Sequence, residues 1–267
     1  MTVEVSSARF TTSDGVRLHV LEAGPQHAGP VIAFVPGWSM PAAVWRAQLG
    51  ALGATHRVAA LDPRGQGESE IPPGGYSIDR RADDVREFVA RYPRVVLVGW
   101  SLGALESLHY VHRHGAAALE ALVLVDSSVG EDPPPAPGGK FQAALKQDRR
   151  AAIAEFVRDM FRTPREKPEL AALTEAALRM PLEASLALFP RAYPREHWRS
   201  VARGFTRPLL YVVTVQFAAQ AEALQRHRPA TRVSVFEDAG HALFADAPER
   251  FNRLLADFVG DLAASPR

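Results

Sequence analysis

The sequence predicts an α/β fold, a mostly parallel β-sheet with helices on both faces and a helical insertion before its last strands. Short, near-continuous apolar runs alternate with stretches of helical spacing, as strands buried from both sides and their crossover helices do. That rhythm stops between residues 131 and 206 and then resumes. The expected organisation is therefore a core of residues 1–130 and 207–267 carrying a helical cap, 131–206.

Taken in order, Phe10–Thr12 and Arg17–Leu21 flank Asp14-Gly15 and predict an antiparallel hairpin. Val31–Val35, Arg57–Leu61, Val95–Val98, Leu122–Val125, Leu209–Val213 and Arg232–Phe236 predict the buried strands. Ile78, Ala82, Val85 and Val89 share one helical face over Ile78–Arg91, and a helix over Leu102–His114 follows a strand directly. Glu131–Gly139 holds four prolines, which remove amide donors and fix φ, so it is neither helix nor interior strand. Beyond it, Lys140–Arg162, Pro168–Arg179 and Leu182–Phe189 read as helices punctuated by Pro164, Pro181, Pro190 and Pro194. A last helix, Pro248–Leu262, opens on Pro248-Glu249 and lines up Phe251, Leu254, Leu255 and Phe258.

Composition narrows the function classes. The 267 residues carry Lys+Arg 31 against Asp+Glu 30, a net charge of +1, which gives no electrostatic case for nucleic acid. Hydrophobic residues make up 47% and charged residues 23%, a globular balance that excludes wholesale disorder. There is no cysteine, so disulfides, thiolate nucleophiles and cysteine-ligated zinc are excluded. Met1–Val5 lacks the pattern of a signal peptide, and no apolar run approaches the ~18 residues of a membrane span. The expectation is a soluble cytoplasmic protein, monomer or homodimer, that binds neither membrane nor nucleic acid.

The segment richest in chemistry is Val95-Val96-Leu97-Val98-Gly99-Trp100-Ser101-Leu102-Gly103. A Gly-x-Ser-x-Gly between a buried strand and a helix exposes the serine hydroxyl on a sharp turn, where the flanking glycines remove clashing side chains. The new helix also offers backbone N–H groups and a positive dipole end to an oxyanion. The bland alternative is a glycine-rich turn with an incidental serine.

A serine hydroxyl needs a base. His241, after the last strand through Ala239-Gly240, suits that role; its bland alternative is a loop imidazole satisfied by nearby backbone. His109, His112 and His114 share one helix without a matching carboxylate helix, so no metal site is expected. His19, His27, His56, His197 and His227 read as strand-surface, loop or helix-face residues.

These motifs together resemble the α/β-hydrolase superfamily over nearly the whole chain. Asp62-Pro63-Arg64-Gly65-Gln66-Gly67-Glu68-Ser69 is similar to that family's Asp-x-Arg-Gly-x-Gly-x-Ser turn, Gly99–Gly103 to its nucleophile elbow, and Ala239-Gly240-His241 to the site of its histidine. The nearest resemblance is to small serine carboxylesterases, such as the pimeloyl carrier-protein methyl esterases and the cofactor-free haloperoxidase-like esterases. It implies an eight-stranded type of sheet, a small-molecule ester substrate, no metal and no cofactor. Ser101 argues against the haloalkane dehalogenases, which use aspartate.

The resemblance also implies an acid that orients the histidine, usually after the strand equivalent to Leu209–Val213. Thr214–Gln220 contains no carboxylate. Asp126, ending Leu122–Val125, is the expected acid instead, unless it merely caps that strand end. The backbone N–H of Leu102 and of Trp38 are the expected oxyanion donors, although Pro36-Gly37 stands where the family commonly has His-Gly. Trp38, Met40 and Trp100 are expected to wall the pocket, and Phe156, Met160, Phe161 and Phe189 to offer an apolar face that covers it, with core packing an equal reading for Trp100 and for most of the insertion residues. The insertion is rich in arginine, including Arg149, Arg158, Arg191 and Arg203, and reads as a solvated basic face or as an attractor of an acidic carrier protein or a carboxylate substrate. The constellation fits ester hydrolysis, with acyl transfer, perhydrolysis, lactone opening, C–C hydrolysis or a non-catalytic binding role as alternatives.

Overall fold

The structure, a computed structural model, describes residues 3–26, 29–135, 139–189 and 192–264. Eight strands form one sheet in the order β1-β2-β4-β3-β5-β6-β7-β8. They are β1 Val5–Thr11, β2 Arg17–Ala23, β3 Val31–Val35, β4 Val58–Asp62, β5 Val95–Trp100, β6 Leu119–Val125, β7 Leu209–Thr214 and β8 Thr231–Phe236. β1 and β2 pair antiparallel, as Asp14-Gly15 implied, and β2 runs antiparallel to β4. From β4 through β8 every pairing is parallel. β3, β4, β5 and β7 are buried at every position, which is why they read as unbroken apolar runs.

The helices are α1 Arg46–Leu52, α2 Ile78–Val89, α3 Leu102–His114, α4 Gly139–Gln147, α5 Arg149–Asp159, α6 Lys167–Leu178, α7 Leu182–Ala187, α8 Arg195–Gly204, α9 Ala218–His227, α10 Leu243–Asp246 and α11 Pro248–Ala264. Ser77 caps α2 by accepting from Arg80 N at 3.2 Å. The helix expected over 140–162 is two, because Asp148 takes an extended conformation and caps α5 through Ala151 N. α1, α8, α9 and α10 escaped the sequence reading: α1 and α10 are short, and α8 follows a proline-broken stretch. Five helices, α4–α8, stand between β6 and β7, where the insertion was expected. Pro190, His27 and Arg191 lie outside the described residues.

Buried charge ties the sheet to the loops at the carboxyl ends of its strands. Asp62, at the end of β4, accepts from Ala42 N at 2.5 Å, Glu68 N at 2.9 Å and the His19 ring at 2.7 Å. His19 is thus buried on β2, not on a strand surface as expected; its inward face packs on the Asp62 turn. Gln66 donates to Gly37 O at 3.1 Å and Met40 O at 2.7 Å, and accepts from Arg81, whose guanidinium also lies 2.9 Å from Glu106 on α3. Burial pushes Glu106 up to about 7 despite that guanidinium.

Removing one partner of such a pair leaves the other buried and uncompensated. Glu106→Ala is therefore expected to destabilise the fold by about 3–5 kcal/mol, read from urea denaturation midpoints at pH 7. A loss under 1 kcal/mol would show that Arg81 finds another partner.

Candidate active site

Ser101 sits between β5 and α3 with φ 55 and ψ −119, a backbone region that a non-glycine residue enters only when its surroundings enforce it. The enforcement comes from missing side chains. A Cβ on Gly99 would collide with Gly103 O, and one on Gly103 would strike Val35 O and lie 2.6 Å from Pro36 O. Gly37, in the loop after β3, faces Ser101 directly: a Cβ there would stand 3.2 Å from Ser101 Cβ. The start of α3 and the β3 loop are thus in backbone contact beside the hydroxyl. Among the described residues, the N–H groups of Trp38 and Leu102 donate to no carbonyl or side chain. Ser101 Oγ likewise makes no hydrogen bond there, and it borders a cavity.

Asp126 ends β6 with φ 43, and its side chain is fully buried. One carboxylate oxygen accepts from Thr214 N at 2.7 Å and Thr214 Oγ1 at 2.9 Å, while the other lies 2.8 Å from His241 Nδ1. That geometry assigns the Nδ1–H tautomer and leaves Nε2 of a neutral ring as an acceptor. Leu209–Val213 ends at Thr214 instead of a carboxylate, and that threonine orients the acid from the neighbouring strand.

The turn holding His241 is clamped from three sides. Trp100 Nε1 donates to His241 O at 2.8 Å, Ala242 N to Met160 O at 2.8 Å, and Gly240 N to Asp246 at 2.7 Å. The rings of Trp100 and His241 lie 5.2 Å apart, which sets the imidazole beside the residue preceding Ser101. Asp246 was not singled out in the sequence, although it stands five residues after His241 and just before α11. Its carboxylate, 1% exposed, also accepts from Arg162 N, Thr163 N and Thr163 Oγ1, so one side chain joins the histidine turn to the α5–α6 connection.

The cavity at Ser101 measures about 220 Å³. Trp38, Phe141, Phe156 and Phe189 form its aromatic wall, Leu102, Leu105 and Leu188 the rest, and Ser127 its second hydroxyl-bearing residue. Of the residues expected to wall or cover the pocket, Trp38, Phe156 and Phe189 line the Ser101 cavity, and Met40, Trp100, Met160 and Phe161 do not. Met40 is wholly buried, its carbonyl held by Gln66. Trp100, Met160 and Phe161 border a different cavity of about 410 Å³, which Ser101 does not reach. The displacement has a simple cause: Met160 lies at the end of α5, against the histidine turn, whereas Phe156, one turn earlier, faces Trp38. A polar depression of about 690 Å³ near Glu22 and Arg57 lies at the opposite ends of the strands.

The histidine-rich face of α3 forms no metal cluster among the described residues. His109 instead bridges Asp79, at 2.6 Å, and His197 of α8, at 3.0 Å. No helix among them is long and apolar enough to cross a membrane.

A model of the alpha/beta hydrolase family matches residues 32–254. A pimeloyl-[acyl-carrier protein] methyl ester esterase of Aeromonas hydrophila is 29% identical over 258 residues, covering 87% of this chain and 96% of its own. A bifunctional esterase/perhydrolase of Acinetobacter calcoaceticus is 39% identical over 121 residues, 44% of this chain and 43% of its own. Among solved structures, the esterase RhEst1 from a Rhodococcus species aligns with a TM-score of 0.83 at 24% identity, over 96% of this chain and 99% of that one.

Asp246 supplies a pH test of the clamp. Burial would raise its pKa, but hydrogen bonds from the Thr163 hydroxyl and the amides of Arg162, Gly240 and Thr163 outweigh that and hold it below the usual carboxylate value. A depressed native pKa stabilises the fold above the unfolded value, about 3.9, and the contribution disappears as pH falls through the native pKa. Asp246→Asn is expected to lower the thermal midpoint at pH 7, with the gap to the parent protein closing below about pH 4. A gap that is constant with pH would mean that the carboxylate's charge is irrelevant to the clamp.

Proposed function

We propose, from the premise that the chain belongs to the alpha/beta hydrolase family, that it is a serine hydrolase cleaving carboxylic esters of small molecules through an acyl-enzyme. The observation that carries this reading is the 2.8 Å contact of His241 Nδ1 with a buried carboxylate whose other oxygen is already taken by Thr214. An imidazole held in that tautomer is a base at Nε2, and the fixed carboxylate stabilises the imidazolium that forms. The strained backbone of Ser101 and the esterase names among the relatives support the same reading.

In this mechanism Ser101 Oγ attacks the ester carbonyl as its proton passes to His241 Nε2. The carbonyl oxygen, now negative, is held by the amides of Leu102 and Trp38, each worth about 2.7–4 kcal/mol in comparable sites. The C–O bond to the alcohol breaks, and Nε2 returns the proton to the departing oxygen. Water then attacks the acyl-enzyme, giving a proton to Nε2, and that proton restores the Ser101 hydroxyl as the acid leaves. Ester and water are converted to acid and alcohol with these residues alone. The Ser101–His241 hydrogen bond forms with substrate in place, since such bonds are commonly long in unliganded sites. Residues 131–206 act as a cap, their phenyl rings covering the cavity above the serine.

Ser101→Ala is expected to abolish hydrolysis of methyl and p-nitrophenyl esters and labelling by a fluorophosphonate, with an unchanged circular dichroism spectrum. Residual turnover at the parent rate would remove the mechanism. Asp126→Asn is expected to lower kcat by roughly four powers of ten, because an amide cannot hold the same tautomer; an effect below tenfold would place the orienting group elsewhere.

A further inference from the structure

We propose that the substrate's acyl group is compact, uncharged and aromatic, of phenylacetyl size, and that it occupies the cavity between Trp38 and Ser101. The inference rests on the serine hydrolase reading above and adds which ester that site selects.

Size sets the first limit. The cavity's volume is about 220 Å³, whereas an apolar cavity of about 150 Å³ holds one benzene ring. The surplus, at roughly 30 Å³ per water-sized group, accommodates about two more heavy-atom groups: a methylene and the carbonyl carbon that Ser101 attacks. A fatty acyl chain exceeds that volume and would reach out past the aromatic rings.

Charge sets the second. Among the described residues, no ionisable side chain borders the cavity, and the polar side chains on it are the hydroxyls of Ser101 and Ser127. The indole N–H of Trp38, the one donor among the aromatic rings, already donates to Ser185 O at 2.7 Å. An acyl chain ending in a carboxylate would be desolvated there without a partner, which the ionised form does not tolerate.

Ring geometry sets the third. Phe141 and Phe156 stack at 5.2 Å and both present edges to Trp38, at 76° and 89°. Phe189 lies 5.3 Å from Trp38 on the same wall. These contacts fix the rings in offset and edge-to-face arrangements, and an entering phenyl group gains the same contacts.

The cavity belongs to the acyl side. The leaving alcohol must receive its proton from His241, and neither His241 nor Ala242 borders this cavity. Its walls at the reacting end are Trp38 and Leu102, whose amides receive the acyl oxygen.

The test compares kcat/KM for esters with the acid and alcohol halves varied separately, by titration of released acid. Methyl phenylacetate is expected to exceed methyl acetate at least tenfold, in line with the 10- to 200-fold that one methylene can be worth in an apolar pocket. Methyl dodecanoate and monomethyl pimelate are expected to fall below methyl acetate. Phe156→Ala, which widens the cavity, is expected to reduce the phenylacetate-to-dodecanoate ratio at least tenfold. If Ser101 is labelled and turns over methyl acetate, but benzyl acetate gains and methyl phenylacetate does not, the cavity holds the alcohol and the proposal falls alone. It also falls alone if monomethyl pimelate is preferred. If no ester is cleaved and Ser101 resists fluorophosphonate, the hydrolase reading fails and takes this proposal with it.

Discussion

The site depends on two backbone segments touching where side chains would keep them apart. Gly103, in the first turn of α3, lies against the carbonyls of Val35 and Pro36, and Gly37 lies against Ser101 itself. Because no Cβ intervenes, the loop after β3 and the N-terminus of α3, whose Trp38 and Leu102 amides make no hydrogen bond among the described residues, lie side by side at Ser101. Ser101 takes its positive φ at that same crowded point. Neither amide could be replaced by a side chain without losing the fixed direction that makes such donors useful to a developing oxyanion.

That contact is stiffened from below by polar groups that the hydrophobic core would otherwise exclude. Gln66 holds the carbonyls of Gly37 and Met40, Arg81 holds Gln66, and Glu106 on α3 holds Arg81. The chain of bonds runs from the loop that bears one amide to the helix that bears the other. Burying an arginine and a glutamate is costly in itself. Here the pair joins the two elements whose relative position matters, which an apolar contact would do without fixing direction.

How far the sequence reveals this site differs from residue to residue, for physical reasons. Ser101 was legible because its strand, its turn and its helix each left a local pattern, and His241 because it follows the last strand. Asp126 was reachable by noticing that Thr214–Gln220 offers no acid; that Thr214 itself would grip Asp126 is a contact across 88 residues, with no local trace. The strands β3, β4, β5 and β7 were legible as apolar runs because both faces are covered, whereas the short helices α1 and α10 offer few turns over which periodicity could show. Asp246 was missed because its partners are mostly backbone amides, and an amide donor carries no sequence signature.

The pocket was the least legible part, and the reason lies in how a cap helix is buried. In the core, burial from two sides leaves a strand no choice of face, so apolar identity implies position. In α5 the apolar residues serve two destinations: Phe156 meets Trp38 over the Ser101 cavity, and Met160, about one turn on, meets the histidine turn. Met160 is buried and Phe156 half-buried for the same hydrophobic gain, and composition cannot distinguish the side that meets substrate from the side that braces the base. The two functions are nonetheless coupled through one short helix, since Met160 O holds Ala242 N while Phe156 walls the acyl cavity.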